Sequence, residues 1–264
     1  VKSLPLPVFV GRSLLVAIRP RHVIRSITPE QTLCLASVVA VIMAVTFVDV
    51  LIHYRMVFGR WIWQHQPAWL SFTFGWACFN LNQWLLAIVA LRVLHRALGA
   101  AARPAAHAVA AYYLIGGVWT WSIAVDALHP LMGLQPVEVH VPWLAWLYPP
   151  IFGNWARLSW VIIFPWASLA LWLILTDVLG VQGTWRRLVG AACALTLPVA
   201  GRMLVEPLPN IVMHVWTQAM GRRPPGGWVV LGTQAVLLVL ASLLVWLGRA
   251  PQTGRSTGQA RGPA

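Results

Sequence analysis

The sequence predicts an all-α protein, a polytopic transmembrane bundle of about six helices preceded by an N-terminal interfacial segment. Three observations predict it. Of 264 residues, 59% are hydrophobic and 9% charged, whereas a soluble domain carries about 25% charged residues. The mean hydropathy is +0.72, so the outside of the molecule faces lipid rather than water. Apolar stretches of about 20 residues recur along the chain, each long enough to cross a hydrocarbon core of about 30 Å as a helix. At about 150 residues per soluble domain the length would suggest two domains. Consecutive apolar segments joined by short connections make one bundle instead.

In chain order, residues 1–27 form the N-terminal segment. Arg12, Arg19, Arg21 and Arg25 interrupt its apolar run, so this stretch is not expected to act as a cleavable signal peptide, and Val8 to Ile18 reads as a stretch that lies at the membrane surface. The bundle occupies 28–249. Thr28-Pro29-Glu30-Gln31 reads as a helix start, with Thr28 as N-cap, proline at the first helical position and Gln31 closing a capping box. The first span then runs over 28–53, the second over 68–94 and the third over 106–128, stopped by Pro130. The Trp-rich and Pro-rich run WLAWLYPP leads into the fourth span, 156–179. A fifth covers 185–205, with Pro198 set to kink it, and a sixth covers 228–247. The tail, 250–264, is polar and rich in Gly and Pro, with nothing to bury, and is expected to be disordered.

Charge orients the bundle. The 19 basic and 6 acidic side chains give a net charge of +13, a balance that also occurs in nucleic-acid-binding proteins. Here the basic residues sit at helix ends instead of on one face, which fits membrane orientation and anionic lipid and disfavours nucleic acid as a partner. Lys2, Arg12, Arg19, Arg21, Arg25, Arg92, Arg96, Arg103, Arg186, Arg187, Arg249, Arg255 and Arg261 fall on one side. Of the connections on the other side, Arg55, Arg60, Arg222 and Arg223 are the basic residues, with Arg157 and Arg202 inside the ends of spans. Both termini are therefore expected in the cytoplasm of a bacterium, with the chain in its inner or intracytoplasmic membrane. Cys34, Cys78 and Cys193 each fall in an apolar segment and read as packing residues, with no disulfide framework or CxxC knuckle.

The acidic residues are costly in lipid, and most of them gather toward the outer ends. In AVDALHPLMGLQPVEVH, Asp126 and His129 close the third span and His140 returns after a proline-bounded loop that also carries Glu138. One carboxylate and two imidazoles suit copper, zinc or non-haem iron. They equally suit a capped helix end with interfacial histidines. In EPLPNIVMHVW, Glu206, Asn210 and His214 are spaced by four. Pro207 and Pro209 break a continuous helix across Glu206, so only Asn210 and His214 stack, on a helix starting near Pro209. Arg202, four residues before Glu206, is placed to neutralise it.

These two clusters resemble the C subunit of the particulate methane, ammonia and short-alkane monooxygenases, a copper-dependent membrane family. In that subunit an Asp and a His end one transmembrane helix, and a His after a loop is followed nine residues later by the Pro of a Tyr-Pro pair. His140 stands at that interval from Tyr148-Pro149. The family's Asn-x-x-x-His step with a following aromatic is similar to Asn210, His214 and Trp216. The likeness extends from the first helix to the sixth. Two positions depart from it. The family's first pair is Asp-x-x-x-His, one residue longer than Asp126 to His129, and its last His falls where this chain has Gly226-Gly227-Trp228.

The resemblance implies that Asp126, His129 and His140 bind copper, with zinc as a possible substitute, and that Asn210 and His214 form or support a neighbouring site. Glu138, Glu206 and Arg202 would stand behind these ligands. It further implies hydroxylation of methane, ammonia or a short alkane with O2, a quinol or similar electron donor, and A-type and B-type partner subunits in a trimer of heterotrimers. Two other functions remain open on the sequence. One is a metal-free structural or assembly subunit of a membrane complex. The other is a haem-binding membrane cytochrome, which needs facing histidine pairs. His53 lies at an outer helix end while His95 and His107 lie at inner ends, so such pairing is poor. A transporter would show repeats or paired broken helices, and neither is evident. Trp61, Trp63, Trp69, Trp143, Trp146 and Trp155 read as an interfacial belt, and Gly59, Gly75, Gly116 and Gly117 as points of close helix approach.

Overall fold

The structure is a computed structural model that describes residues 2–3, 6–27, 31–32, 34–57, 66–99, 105–128, 138–139, 151–152, 159–205, 208–221 and 226–247. In chain order its helices are α1 (Leu6–Ile18), α2 (Pro20–Arg25), α3 (Leu35–Val57), α4 (Gln66–Ala97) and α5 (Ala105–Leu128). They continue with α6, in which an α-helix over Phe164–Leu173 is flanked by π-helical turns over Ser159–Ile163 and Ile174–Val178. Then follow α7 (Thr184–Val205), α8 (Leu208–Met220) and α9 (Gly226–Leu247). Two short pairings complete the described elements. Lys2–Ser3 runs parallel to Gln31–Thr32, and Glu138–Val139 antiparallel to Ile151–Phe152.

Among the described residues three stretches are long and apolar enough to cross a membrane: Thr73–Ala97 in α4, Ala106–Val125 in α5 and Val161–Val178 in α6. Shorter apolar helices cover Ala36–Val48 and Leu231–Leu247. The helices expected at 68–94, 106–128, 156–179, 185–205 and 228–247 all correspond to helices of the structure. Pro198 lies inside α7.

The first span begins later than its expected capping box. Gln31 lies in the pairing with Lys2–Ser3, and the helix starts at Leu35. The carbonyl of Cys34 accepts the first helical bond, from the N–H of Val38 at 3.0 Å. Cys34 is thus the N-cap and is exposed, which corrects its reading as a packing residue. Its thiol is held below the ordinary value, chiefly by the backbone N–H of Ser37, with the Ser37 side chain and the N–H of Ala36 adding to it. Cys78 and Cys193 are half-buried.

The core sits where α5 meets α1, α3, α4 and α6. Small residues allow it: Ala110 and Ala111 are fully buried, and Gly117 lies where a Cβ would fall 1.9 Å from the Trp166 ring. Gly117 therefore lets α5 and α6 approach, as in other membrane helix pairs. A Cβ at Gly116 would meet only ordinary contacts. The N-terminal segment read as interfacial is α1, and it packs along α5 with Val16 fully buried. Ser13 and Tyr112 share a hydrogen bond of 2.9 Å, and Trp121 Nε1 donates to the carbonyl of Ala17 at 3.2 Å. In α6, the Thr176 hydroxyl donates back to the carbonyl of Trp172 at 3.0 Å. Such back-bonding loosens the normal ladder beside the π-helical turn that carries Asp177.

The connections expected on the basic side do come together. Gly99 ends α4 with φ +60°, a left-handed conformation that suits glycine. A Cβ placed there would lie 3.1 Å from Arg186 Nη1, at the start of α7. Arg25 of α2 donates to Asp177 Oδ2 at 2.7 Å, and Arg92 donates to the carbonyl of Val245 at 2.8 Å, near the end of α9.

Candidate functional site

The candidate ligands divide between two helices of different character. Asp126 occupies the last turn of α5, so the first cluster begins at the end of a packed apolar span. Glu138 lies in the short ladder opposite Phe152. His129, His140, Tyr148 and Pro149 lie outside the described residues, as does Glu206. Of the tryptophans expected in a belt, only Trp69 falls within a described helix, and Gly59 lies outside them.

The second cluster is divided by the break the prolines foreshadow. α7 carries Arg202 and ends at Val205, and α8 starts at Leu208 with Pro209 in its first turn, where its missing N–H costs no helical bond. Arg202 and Asn210 consequently stand on different helices. Asn210 and His214 are one turn apart on α8 and share a face. The His214 side chain is exposed. Among the described residues no three His, Cys, Asp or Glu side chains come close enough to hold a metal ion. As donors, the carboxylate of Asp126 and the imidazoles of His129, His140 and His214 are of the type that copper or zinc accepts.

Two polar arrangements in the structure were not found by searching for acids and histidines with metal spacing. The first is a set of buried amides within the apolar helices. Asn80 of α4 donates to Thr46 Oγ1 of α3 at 2.8 Å. Asn82, two residues on and thus on another face of α4, donates through Nδ2 to both the main-chain carbonyl and Oε1 of Gln234 in α9, each at 2.9 Å. Thr46 and Asn82 are fully buried and Gln234 is nearly so. The two amides tie α4 to helices on either side of it, and among the described residues the pair α4 and α9 has the most extensive helix contact. The available signal was Asn80 and Asn82 themselves, since uncharged amides in a lipid-length helix seek partners on neighbouring helices.

The second arrangement corrects the reading of the inner histidines. His95 near the end of α4 and His107 at the start of α5 are in edge-to-face contact, with ring centroids 4.9 Å apart and planes at 74°. Helices α4 and α5 are antiparallel neighbours, so the end of one meets the start of the next. The pairing judged poor for a haem is therefore formed. Direct ring contact nevertheless fills the space that a porphyrin plane would need between two axial ligands, and a haem does not fit there.

No family model, curated protein or solved structure matches the chain.

Proposed function

We propose that this chain is the C-type integral membrane subunit of a copper-dependent monooxygenase that hydroxylates a small apolar substrate such as methane, ammonia or a short alkane. The observation that carries the reading is the ordered recurrence of one pattern. A carboxylate, Asp126, ends an apolar span, His129 follows, and His140 precedes Tyr148-Pro149 by the family interval. The step Asn210-x-x-x-His214 then follows on its own helix.

In this reading Asp126, His129 and His140 hold copper, and Asn210 and His214 form or support a second position nearby. Bound copper supplies oxygen activation, with electrons from a quinol or similar donor. The chain's own residues bind and orient. A single carboxylate with neutral imidazoles keeps the charge of the site low, which suits a low-dielectric surrounding, and apolar helices admit a substrate that offers few polar handles. The place of the missing third His in the second step is filled by Glu206 or by a neighbouring chain. A- and B-type partners, six spans in all and cytoplasmic termini complete the proposal.

Copper analysis of the complex purified with its partners, together with a His140→Ala variant, tests it. The expected result is bound copper in the wild type and loss of both copper and substrate oxidation in the variant. Undiminished oxidation by His140→Ala sinks the reading. Orientation has its own test in Cys34, whose exposure and lowered thiol value favour the reactive thiolate. A membrane-impermeant maleimide is expected to label Cys34 in inverted vesicles and not in intact cells.

A further inference from the structure

We propose that Arg12, with Tyr113, forms a binding site for the phosphodiester group of a membrane phospholipid. Arg12 is the one charged residue of α1, LPVFVGRSLLVAI. The outward side of that helix is apolar, with Val8, Val10, Leu14 and Ile18 all exposed. At 13 residues and about 1.5 Å per residue α1 is too short to span a bilayer, so it lies against the bundle with those side chains turned to acyl chains.

Its position along α5 is fixed by its neighbours. Ser13 bonds Tyr112, and its Cβ lies 4.0 Å from where a Cβ on Gly116 would be. Both α5 residues belong to the stretch Ala106–Val125, long and apolar enough to cross a membrane. Arg12 therefore stands beside the apolar span and not at a wet helix end.

There its charge has no counter-ion among the described residues. Asp177, the one acidic residue whose side chain is among those described, is paired with Arg25 instead. The guanidinium lies beside the Tyr113 phenol and acts on it electrostatically. Arg12 Nη1 and Tyr113 Oη are both buried, turned to each other, and neither has a further hydrogen-bond partner among the described residues. The phenol thus holds one edge of the guanidinium from within, and the charge of Arg12 is left without an anion among the described residues. The rest of the Arg12 side chain is part-exposed, and next to it a Cβ on Gly11 would meet nothing within 4 Å, so a ligand reaches the guanidinium from this open side while Tyr113 backs it from the buried one.

The chemistry of the place selects the occupant. A guanidinium matches an oxyanion with two oxygens in its plane, above all phosphate. A ligand that brings such an oxyanion while surrounding itself with apolar chains is a phospholipid. Recognition through the phosphodiester makes the site indifferent to the headgroup alcohol.

The test is native mass spectrometry of the full-length chain, delipidated in detergent and titrated separately with phosphatidylglycerol and phosphatidylcholine. The expected result is one tightly held phospholipid of either kind. Binding should weaken about tenfold in Arg12→Gln, as for a lost charge-assisted hydrogen bond, and less in Tyr113→Phe. Arg21→Gln, which removes an exposed cation from the same segment, should leave it unchanged. Excess inorganic phosphate should not displace the lipid. Equal losses in Arg12→Gln and Arg21→Gln would show general charge attraction and overturn the proposal, as would displacement by phosphate or the absence of a bound phospholipid. Should Arg12→Gln not fold, Arg12→Lys keeps the charge and loses the fork, and binding equal to wild type would overturn the proposal.

Discussion

Helices α5 and α8 are both apolar, and each carries residues of one candidate metal cluster, yet the chain treats them in opposite ways. α5 is enclosed by α1, α3, α4 and α6, and Tyr112 and Tyr113 on it are completely buried. α8 packs against α9 and leaves Val215 59%, Met220 60% and Trp216 43% exposed. α5 is apolar on all sides over a membrane-crossing length, and α8 is shorter and more two-faced, but hydropathy alone does not bury a helix, because lipid is as apolar as a protein core. Side-chain size adds to the difference. α5 offers Ala110, Ala111 and Gly117 to its neighbours, whereas α8 presents Val212, Val215 and Trp216. Where no hydrophobic force drives helices together, close approach of small residues and shared hydrogen bonds do. Asp126 thus sits at the end of a helix that the chain itself holds in place. His214 sits on a helix whose other side is left to lipid or to a partner.

The hardest way to break this contrast is to fill the α5 contact. In Gly117→Val the new side chain would collide with the Trp166 ring, which is nearly buried and has little freedom to move. A cost of about 3 kcal/mol or more is expected, at the upper end for overpacking. Unfolding titration in mixed micelles measures it. Adding Trp166→Ala should recover part of the loss by vacating the space, and if Gly117→Val alone is neutral, then α5 is not held through this approach.

Next in size is the amide link between α4 and α9. Asn82→Leu removes both hydrogen bonds to Gln234 and leaves Oε1 buried without a donor, for an expected loss of about 1 kcal/mol, as for polar contacts between membrane helices. Asn80→Leu should cost less, since one bond to Thr46 is lost and the hydroxyl can donate elsewhere. Equal stability of all three proteins in the same unfolding assay would show that helix shape alone pairs α4 with α9.

The basic side offers a smaller effect. Arg25 and Asp177 form a short ion pair with side chains 52% and 22% exposed, and pairs so open to solvent contribute about 1 kcal/mol or less. A double-mutant cycle with Arg25→Gln and Asp177→Asn should give a coupling in that range, shrinking in 1 M salt where screening reaches about 3 Å. A coupling that salt leaves unchanged would mean the pair is sealed from solvent.

How much of this could be read from residue order follows from the same physics. Length, hydropathy and proline breaks located the helices, because a lipid-length apolar run leaves its backbone one way to satisfy itself. Basic residues located one end, and Gly99 with Arg186 and Arg25 with Asp177 show those connections together. The capping box at Thr28 misled, since Gln31 is drawn into a pairing with Lys2–Ser3, a contact remote in sequence. Asn82 with Gln234 and His95 with His107 were equally hidden. Each depends on which helices are neighbours and how they are rotated, and periodicity in an all-apolar helix carries almost no rotational signal. Of the first candidate cluster, the placement of Asp126 was legible because it depends only on where α5 stops. In the second, the break at Pro207 and Pro209 was legible for the same local reason.

The smallest effect on the chain itself is expected at α8, and there it tells most about function. Trp216→Ala removes a large side chain that is already 43% exposed, and surface changes of this kind usually stay within about 0.5 kcal/mol. Stability of the isolated chain should therefore hardly change. Should a partner subunit cover α8, the same substitution removes an aromatic of the type that dominates interface energies, commonly about 2 kcal/mol or more. The proposed function requires that cover, because His214 is exposed on the chain alone and the second step lacks its third His. Trp216→Ala is accordingly expected to leave helicity and unfolding of the chain intact while lowering recovery of the co-purified complex and its copper content. Full recovery of complex and copper would assign this side of α8 to lipid, and the second cluster would then have to be completed by Glu206 from this chain alone.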